Sequence, residues 1–321
     1  MHAIWNQYPE IKQELEAVID LMDKNAYCKD KVIENSIKEL VHTSGKMLRP
    51  GFSIIASKFG NYESERTQVL AAILEMFHMA TLVHDDVIDE AKLRRGRETI
   101  QSKYGKNYAV YIGDYLFCIC FKLLAQTASL HSIQMDSKAM SRICLGEVEQ
   151  LNSRFDQTAT VKDYLKRISG KTAELFALSL YLGAAESECN KNMSRLFWNI
   201  GYNIGMAFQI IDDVLDYTSV NEVLGKESNH DVKEGVYTLP LIYALEKKPQ
   251  VLVDLLSKES YTNEDVELVK HLVFKYEGVE KARVLAKKYT AKAFKLIAKL
   301  PDNQYKEMLK EITALMLDRE Y

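Results

Sequence analysis

Proline is nearly missing from this 321-residue chain. Only Pro9, Pro50, Pro240, Pro249 and Pro301 occur, and none lies between residues 51 and 239. Glycine is also sparse, with 14 residues, where average composition would give about 16 prolines and about 22 glycines. Proline breaks helices, and β-rich folds need both residues at their many turns. The gap therefore argues against a sandwich, a barrel or a long disordered linker, and it predicts long helices. Cysteine is scarce and unpatterned. Cys28, Cys118, Cys120, Cys144 and Cys189 make an odd count without a Cys-x-x-Cys pair, which suits reduced thiols in a reducing compartment. No charge of one sign dominates, since 42 basic and 45 acidic side chains leave a formal charge of −3. That balance gives no polybasic footprint for nucleic acid or anionic lipid. The N-terminal stretch MHAIWNQYPEIKQELEAVID lacks the layout of a signal peptide. The longest clean apolar run, Leu175 to Ala185, is too short to span a bilayer. A cytoplasmic protein is expected, with no transmembrane segment and no nucleic-acid partner.

What is present is helical periodicity over most of the chain. Residues 66–89 open polar and continue as VLAAILEMFHMATLV, apolar almost all round, the mark of a buried central helix. Residues 107–130 repeat that style, residues 134–152 and 160–186 read as two further long helices, and residues 193–218 form another nearly all-apolar one. Three polar stretches interrupt them: Thr43–Gly51, Asp89–Glu98 and Ser219–Thr238. The last is the longest and has the character of a flap that gates chemistry. Residues 262–319 return to amphipathic helix with a lysine-rich face. No low-complexity segment or linker divides the chain, so one all-α domain over residues 1–321 is expected.

Both buried helices end in nearly the same words, Asp85-Asp86-Val-Ile-Asp89 and Asp212-Asp213-Val-Leu-Asp216. The first and last aspartates of each are four apart and share a helix face, with the middle one about 100° round. Three carboxylates in a last helical turn repel one another and meet a dipole end that already carries about −0.5 charge. Cations are the natural remedy, and oxygen-only ligands select hard ones such as Mg²⁺. A lone motif of this kind is most simply a solvated helix end, but two copies after two apolar helices are harder to dismiss. Two such helices facing each other would hold Mg²⁺ on both sides of a polyphosphate. Lys46 and Arg49 flank the first polar stretch, Arg94 and Arg95 follow the first motif, and Lys171 and Lys226 lie further along. Arginine forks match phosphate oxygens and lysine supplies a point charge. The residues together describe a site for two phosphorylated substrates beside an apolar interior.

At this point the chain resembles the trans-isoprenyl diphosphate synthases, most clearly from Gly45 to about Tyr243. The likeness is carried by HMATLVHDDVIDEAKLRRG, GDYLF (113–117), Gly170-Lys171-Thr172 and FQIIDDVLDY (208–217), in that order. It implies the isoprenoid synthase fold, a helical bundle around a central cavity, and head-to-tail elongation of an allylic diphosphate by isopentenyl diphosphate. It further implies that Asp85, Asp89 and Asp212 are the principal Mg²⁺ ligands, with Asp86, Asp213 and Asp216 assisting. Lys46, Arg49, His78 and Arg95 match the positions that hold isopentenyl diphosphate. Arg94, Lys171, Thr172, Gln209 and Lys226 match those around the allylic diphosphate. A lone histidine on an apolar helix is usually a core residue, but His78 lies on the face of Asp85, two turns below.

The same resemblance reads product length from the turns below the first motif. Ala80 is small where short-chain enzymes carry a bulky aromatic, with Phe77 and Ile73 further down the same side. A C30 to C35 product built on farnesyl diphosphate is expected, for a quinone side chain. Two departures stand out: Met47 replaces a usual basic residue, and Gly235-Val236-Tyr237 lacks a usual lysine. The wording is similar to the large component of two-component heptaprenyl or hexaprenyl diphosphate synthases, which implies a small regulatory partner subunit, a homodimer, or both. Rival readings are a terpene cyclase, which shares the first motif, and a non-catalytic subunit, which would not need both motifs intact. A third is a di-iron carboxylate bundle, suggested by Glu75-x-x-His78 and Glu227-x-x-His230.

Overall fold

The computed structural model describes residues 2–43, 45–94, 96–218, 230–258 and 260–317. In chain order its helices are α1 (Pro9–Asn25), α2 (Lys31–His42), α3 (Leu48–Ser57), α4 (Ser64–Ile88), α5 (Ile100–Tyr104) and α6 (Lys106–Thr127). They continue with α7 (Leu130–Asn152), α8 (Val161–Ile168), α9 (Glu174–Glu186), α10 (Lys191–Thr218) and α11 (His230–Lys233). The last are α12 (Leu239–Leu245), α13 (Gln250–Leu256), α14 (Asn263–Lys275), α15 (Gly278–Ile297) and α16 (Gln304–Leu317). Among the described residues the only sheet is a hairpin of two short strands, β1 (Leu93–Arg94) and β2 (Arg97–Glu98).

The chain separates into two compact units, neither of them contiguous in sequence. One comprises Met1–Ser137, Leu175–Trp198 and Leu300–Ile312; the other comprises Lys138–Glu174, Asn199–Lys299 and Thr313–Tyr321. All but one of the dividing points fall inside helices, the exception being the turn between α15 and α16 at Lys299 and Leu300.

In the first unit α4 packs against α6, α3 and α1. Its all-round apolar sequence is what allows that: Leu70, Ile73, Leu74, Met76, Phe77 and Ala80 are all buried, as a helix without a solvent face must be. The close fit of α4 on α6 depends on Gly113, where an added Cβ would lie 2.3 Å from the His84 imidazole. By length and composition α6 could cross a membrane, a test that a core helix also passes. Here it buries Ala109, Ile112, Leu116, Ile119 and Leu123 within the unit. Scanning for an uninterrupted apolar run overlooks it, because Asp114 and Lys122 punctuate the stretch.

In the second unit α12 packs against α15, α14 and α8. The core joins Tyr164, Met206, Ile210, Val214, Leu239 and Ile242. The helix expected over residues 160–186 is not uniform. It begins as α8 with a capping box between Thr160 and Asp163, passes through a π-helical turn at Ser169–Ala173, and resumes as α9. The turn coincides with a backbone-to-backbone approach. A Cβ on Gly170 would stand 2.8 Å from the Arg142 carbonyl oxygen, and one on Gly146 would stand 2.9 Å from the Lys171 nitrogen. The first polar stretch is also shorter than expected. Helix α3 starts at Leu48, so Arg49 and Pro50 occupy its first turn, where proline is tolerated.

Candidate active site

The first acidic motif closes α4. Asp85 and Asp89 share a partly exposed face, whereas Asp86 is buried, as the four-residue spacing requires. Asp86 is held from outside the helix: Arg94 Nε donates to its Oδ1 at 2.8 Å. The hairpin pairing Arg94 with Arg97 places that arginine. One guanidinium thus relieves one of three carboxylates crowded at a negative dipole end. Ahead of α3, the Lys46 carbonyl accepts from the buried Trp5 indole at 2.7 Å. Arg49 lays its guanidinium 4.6 Å from the centre of the Phe176 ring, a cation–π contact that orients it. His78 is half-buried on α4. Arg95 lies outside the described residues.

Below the motif, Ala80, Phe77 and Ile73 are fully buried. The sequence named that side of α4 but not its counterpart on α6. Phe77 meets Phe117 at 5.8 Å and Phe121 at 6.1 Å between ring centres, and Cys120 Sγ lies 3.7 Å from the Ile73 carbonyl oxygen. An aromatic cluster therefore stands two helical turns beneath the carboxylates.

The second motif lies in the other unit, in the last turns of α10. Asp212 is exposed, Asp216 is half-buried and Asp213 is buried, repeating the pattern of the first motif. Asp213 is held by uncharged donors. Tyr164 on α8 donates to its Oδ2 at 2.5 Å, and Gln209 Nε2 donates to its Oδ1 at 2.8 Å. Thr172 in the π-helical turn donates to Gln209 Oε1 at 2.6 Å. Burial pushes the Asp213 carboxyl up to about 7, against the opposing pull of those two donors, and burial also raises the Tyr164 phenol. Lys171 pairs with Glu147 at 2.8 Å. Arg167 is buried with Nη2 donating to the Tyr237 carbonyl at 2.7 Å and Nη1 to Ser153 Oγ at 3.1 Å. That anchors the segment in which the usual lysine is replaced. Lys226 lies outside the described residues, as do residues 219–229 of the polar stretch, Glu227 among them.

The structure thus gathers Asp85, Asp86, Asp89 and Arg94 in one unit, and Lys171, Thr172, Gln209, Asp212, Asp213 and Asp216 in the other. Sequence reasoning missed Tyr164, Glu147, Arg167 and Trp5. Tyr164 carries one signal, its position seven residues before Lys171. The donor sets fit Mg²⁺. Each motif offers two solvent-reachable carboxylates and only oxygen atoms. Among the described residues no three carboxylate, imidazole or thiolate groups close into a complete metal cage. Magnesium binds in that way, through one or two carboxylates with water and substrate phosphate completing its shell.

Comparison with known proteins identifies the family. Residues 30–273 match the family model for polyprenyl synthetase. Heptaprenyl diphosphate synthase component 2 of Geobacillus stearothermophilus is 34% identical, over 98% of this chain and 98% of its own. Geranylgeranyl pyrophosphate synthase from Lactobacillus brevis ATCC 367 superposes with a TM-score of 0.94 at 38% identity, covering 99% of both chains. The polyprenyl synthase of Caulobacter crescentus CB15, complexed with calcium and isoprenyl diphosphate, superposes at 0.92 with 30% identity, over 99% of this chain and 98% of its own. Shared helices, a family match across most of the length and two acidic helix ends lead to one assignment. The chain belongs to the polyprenyl synthetase family, has its all-α isoprenoid synthase fold, and is a prenyltransferase.

Proposed function

We propose that this prenyltransferase elongates farnesyl diphosphate with isopentenyl diphosphate to an all-trans C30 to C35 polyprenyl diphosphate destined for a quinone side chain. The observation that carries the reading is the repeated motif geometry: two outer aspartates reachable from solvent and an inner one turned into the protein. Asp85, Asp89, Asp212 and Asp216 would hold Mg²⁺. When bound, Mg²⁺ would supply neutralisation of the charge that grows on departing diphosphate oxygens. The calcium and isoprenyl diphosphate of the Caulobacter relative support a cation-and-diphosphate role for this family site.

In the reaction the allylic C–O bond breaks and its electron pair leaves with diphosphate. The isopentenyl double bond attacks the allylic carbon, a C–C bond forms, and the resulting tertiary cation loses a proton. No protein nucleophile is needed. The protein's task is to hold two anions and to exclude water from a cation. Lys171 and Arg94 would hold the leaving diphosphate, as charge-assisted donors aimed where negative charge develops. Lys46 and Arg49 would fix isopentenyl diphosphate. Small Ala80 would let the hydrocarbon pass and the Phe77, Phe117 and Phe121 cluster would meet it further down, supporting a product longer than C20. The component 2 designation of the Geobacillus relative supports a small partner subunit.

The test is to incubate the purified chain with farnesyl diphosphate, labelled isopentenyl diphosphate and Mg²⁺, with and without host extract, and to size the products. C30 to C35 products that need the extract are expected. Products ending at C20 would overturn the length, and full activity of the chain alone would overturn the partner. Ala80→Phe should shorten the product, and an unchanged chromatogram would refute the role of Ala80.

A further inference from the structure

Asp213, Gln209 and Thr172 form one continuous chain of hydrogen bonds, and that chain begins at a residue with no role in the reading above. Tyr164 is 1% exposed, and its ring is covered by the Arg167 guanidinium at 5.5 Å. Arg167 is itself fixed by the Tyr237 carbonyl and Ser153. The phenol therefore has one orientation, with its hydroxyl on Asp213.

The direction of every link follows from the groups involved. An ionised carboxylate only accepts, and Tyr164 and Gln209 both donate to Asp213. The Gln209 amide is thereby turned with nitrogen towards Asp213 and oxygen towards Thr172. Thr172 must then donate to that oxygen, which leaves its own lone pairs as what it offers to anything beyond. Without the Tyr164 hydroxyl, Asp213 would keep one acceptor unmatched in a buried site, which costs more than an ordinary hydrogen bond. Asp213 would then be held by Gln209 alone, and the carboxylate would be free to shift, carrying Gln209 away from Thr172.

We propose that Tyr164 is a positioning residue that, by holding Asp213, keeps Gln209 in place and with it the direction of the Thr172 hydroxyl. The proposal rests on the reading that Thr172 faces the allylic substrate, where an oxygen lone pair suits the positive charge that grows on the reacting carbon. Tyr164 itself touches neither substrate nor metal in this account.

Tyr164→Phe is the variant of choice, because it removes the hydroxyl while leaving the ring and its contact with Arg167. Steady-state assays at pH 8, with partner extract supplied to all variants, should show kcat lowered about tenfold, the size expected for one hydrogen bond to a charged group. The KM for isopentenyl diphosphate should not change. The same variant made in a Thr172→Val background should cost little more, since the route from Tyr164 to the substrate is already cut. A wild-type kcat for Tyr164→Phe, or losses that simply multiply in the double variant, would overturn the proposal. A general loss of stability would instead move both variants' melting temperatures and KM values together. Crystal structures of the wild type and Tyr164→Phe give a readout independent of turnover. Separation of Gln209 from Asp213 or of Thr172 from Gln209 beyond hydrogen-bond reach is expected, and an unchanged chain would overturn the proposal. An inactive wild type with an intact chain that opens in Tyr164→Phe would refute the substrate reading and leave the positioning role standing.

Discussion

The two acidic motifs differ by one apolar residue in wording and share one geometry, yet their inner aspartates are anchored by opposite kinds of chemistry. Asp86 is met by a charged guanidinium on a surface hairpin, with Arg94 about a third exposed (31%). Asp213 is met by a phenol and an amide deep in its unit. The outer pairs are equivalent because helix periodicity alone places them. The inner residues are not, because what a buried carboxylate meets depends on which other element packs there. A repeated motif can therefore carry the same function on its outer face and different structural duties on its inner one.

Removing outer aspartates should have the largest effect and should be symmetrical. Asp85→Asn and Asp212→Asn are each expected to lower kcat by about 10²- to 10³-fold, the range for losing one charge-stabilising group, with melting temperatures near that of the wild type. A strong loss for one and a mild loss for the other would break the equivalence of the two outer pairs.

The inner aspartates should then behave unequally. Asp213→Ala leaves the Tyr164 hydroxyl and the Gln209 amide buried without their acceptor and should cost about 2–4 kcal/mol of stability. Asp86→Ala releases an arginine that water can solvate and should cost about 1 kcal/mol or less. Chemical denaturation of both variants measures the difference, and equal costs would remove the contrast drawn above.

A third buried aspartate sharpens the comparison further. Asp136 on α7 is 1% exposed, and its Oδ1 has no hydrogen-bond partner among the described residues. Burial pushes its carboxyl from an ordinary 3.8 to about 7. Because the folded value is raised, the folded state holds the proton more tightly than the unfolded chain. The stability this contributes is complete below about pH 4 and is lost as pH rises through 7. Between pH 5 and 8 Asp136 should contribute a loss of up to about 1 kcal/mol per pH unit, beside that of the likewise raised Asp213, and Asp136→Asn should make the profile shallower. Parallel pH profiles of the two proteins would show that Asp136 does not titrate in this way.

Much of this was legible in the residues themselves. The helices expected over 66–89, 107–130, 134–152 and 193–218 appear as α4, α6, α7 and α10 within a few residues at each end. Unbroken apolar periodicity without proline leaves little alternative. That the outer aspartates of each motif share a face, with the middle one turned away, followed from their spacing. What could not be read depends on tertiary contact. Nothing local announces the π-helical turn, since Gly146 and Gly170 matter only once their backbones meet. Tyr164 and Arg167 looked like ordinary members of an amphipathic helix, because their partners Asp213 and Tyr237 lie 49 and 70 residues away. The wall that α6 sets opposite Phe77 and Ile73 was hidden for the same reason. The two-unit division crosses helices at four of its five points, so composition carries little trace of it.

The π-helical turn at Ser169–Ala173 has one more consequence, and it concerns insertions and deletions. A π turn holds one residue more than the α turn it replaces, so it takes up an extra residue that a regular α-helix could not. Removing a single residue from Ser169–Ala173 would let the turn close as an ordinary α turn, whereas removing one from the middle of α8 would turn every later residue of that helix by about 100°. The cost at the π turn would be local, falling on Lys171 and Thr172 and their bonds to Glu147 and Gln209. Two deletions that look alike in an alignment, a few residues apart in one helical stretch, would therefore differ in reach: one confined to the site, the other displacing a whole packed face.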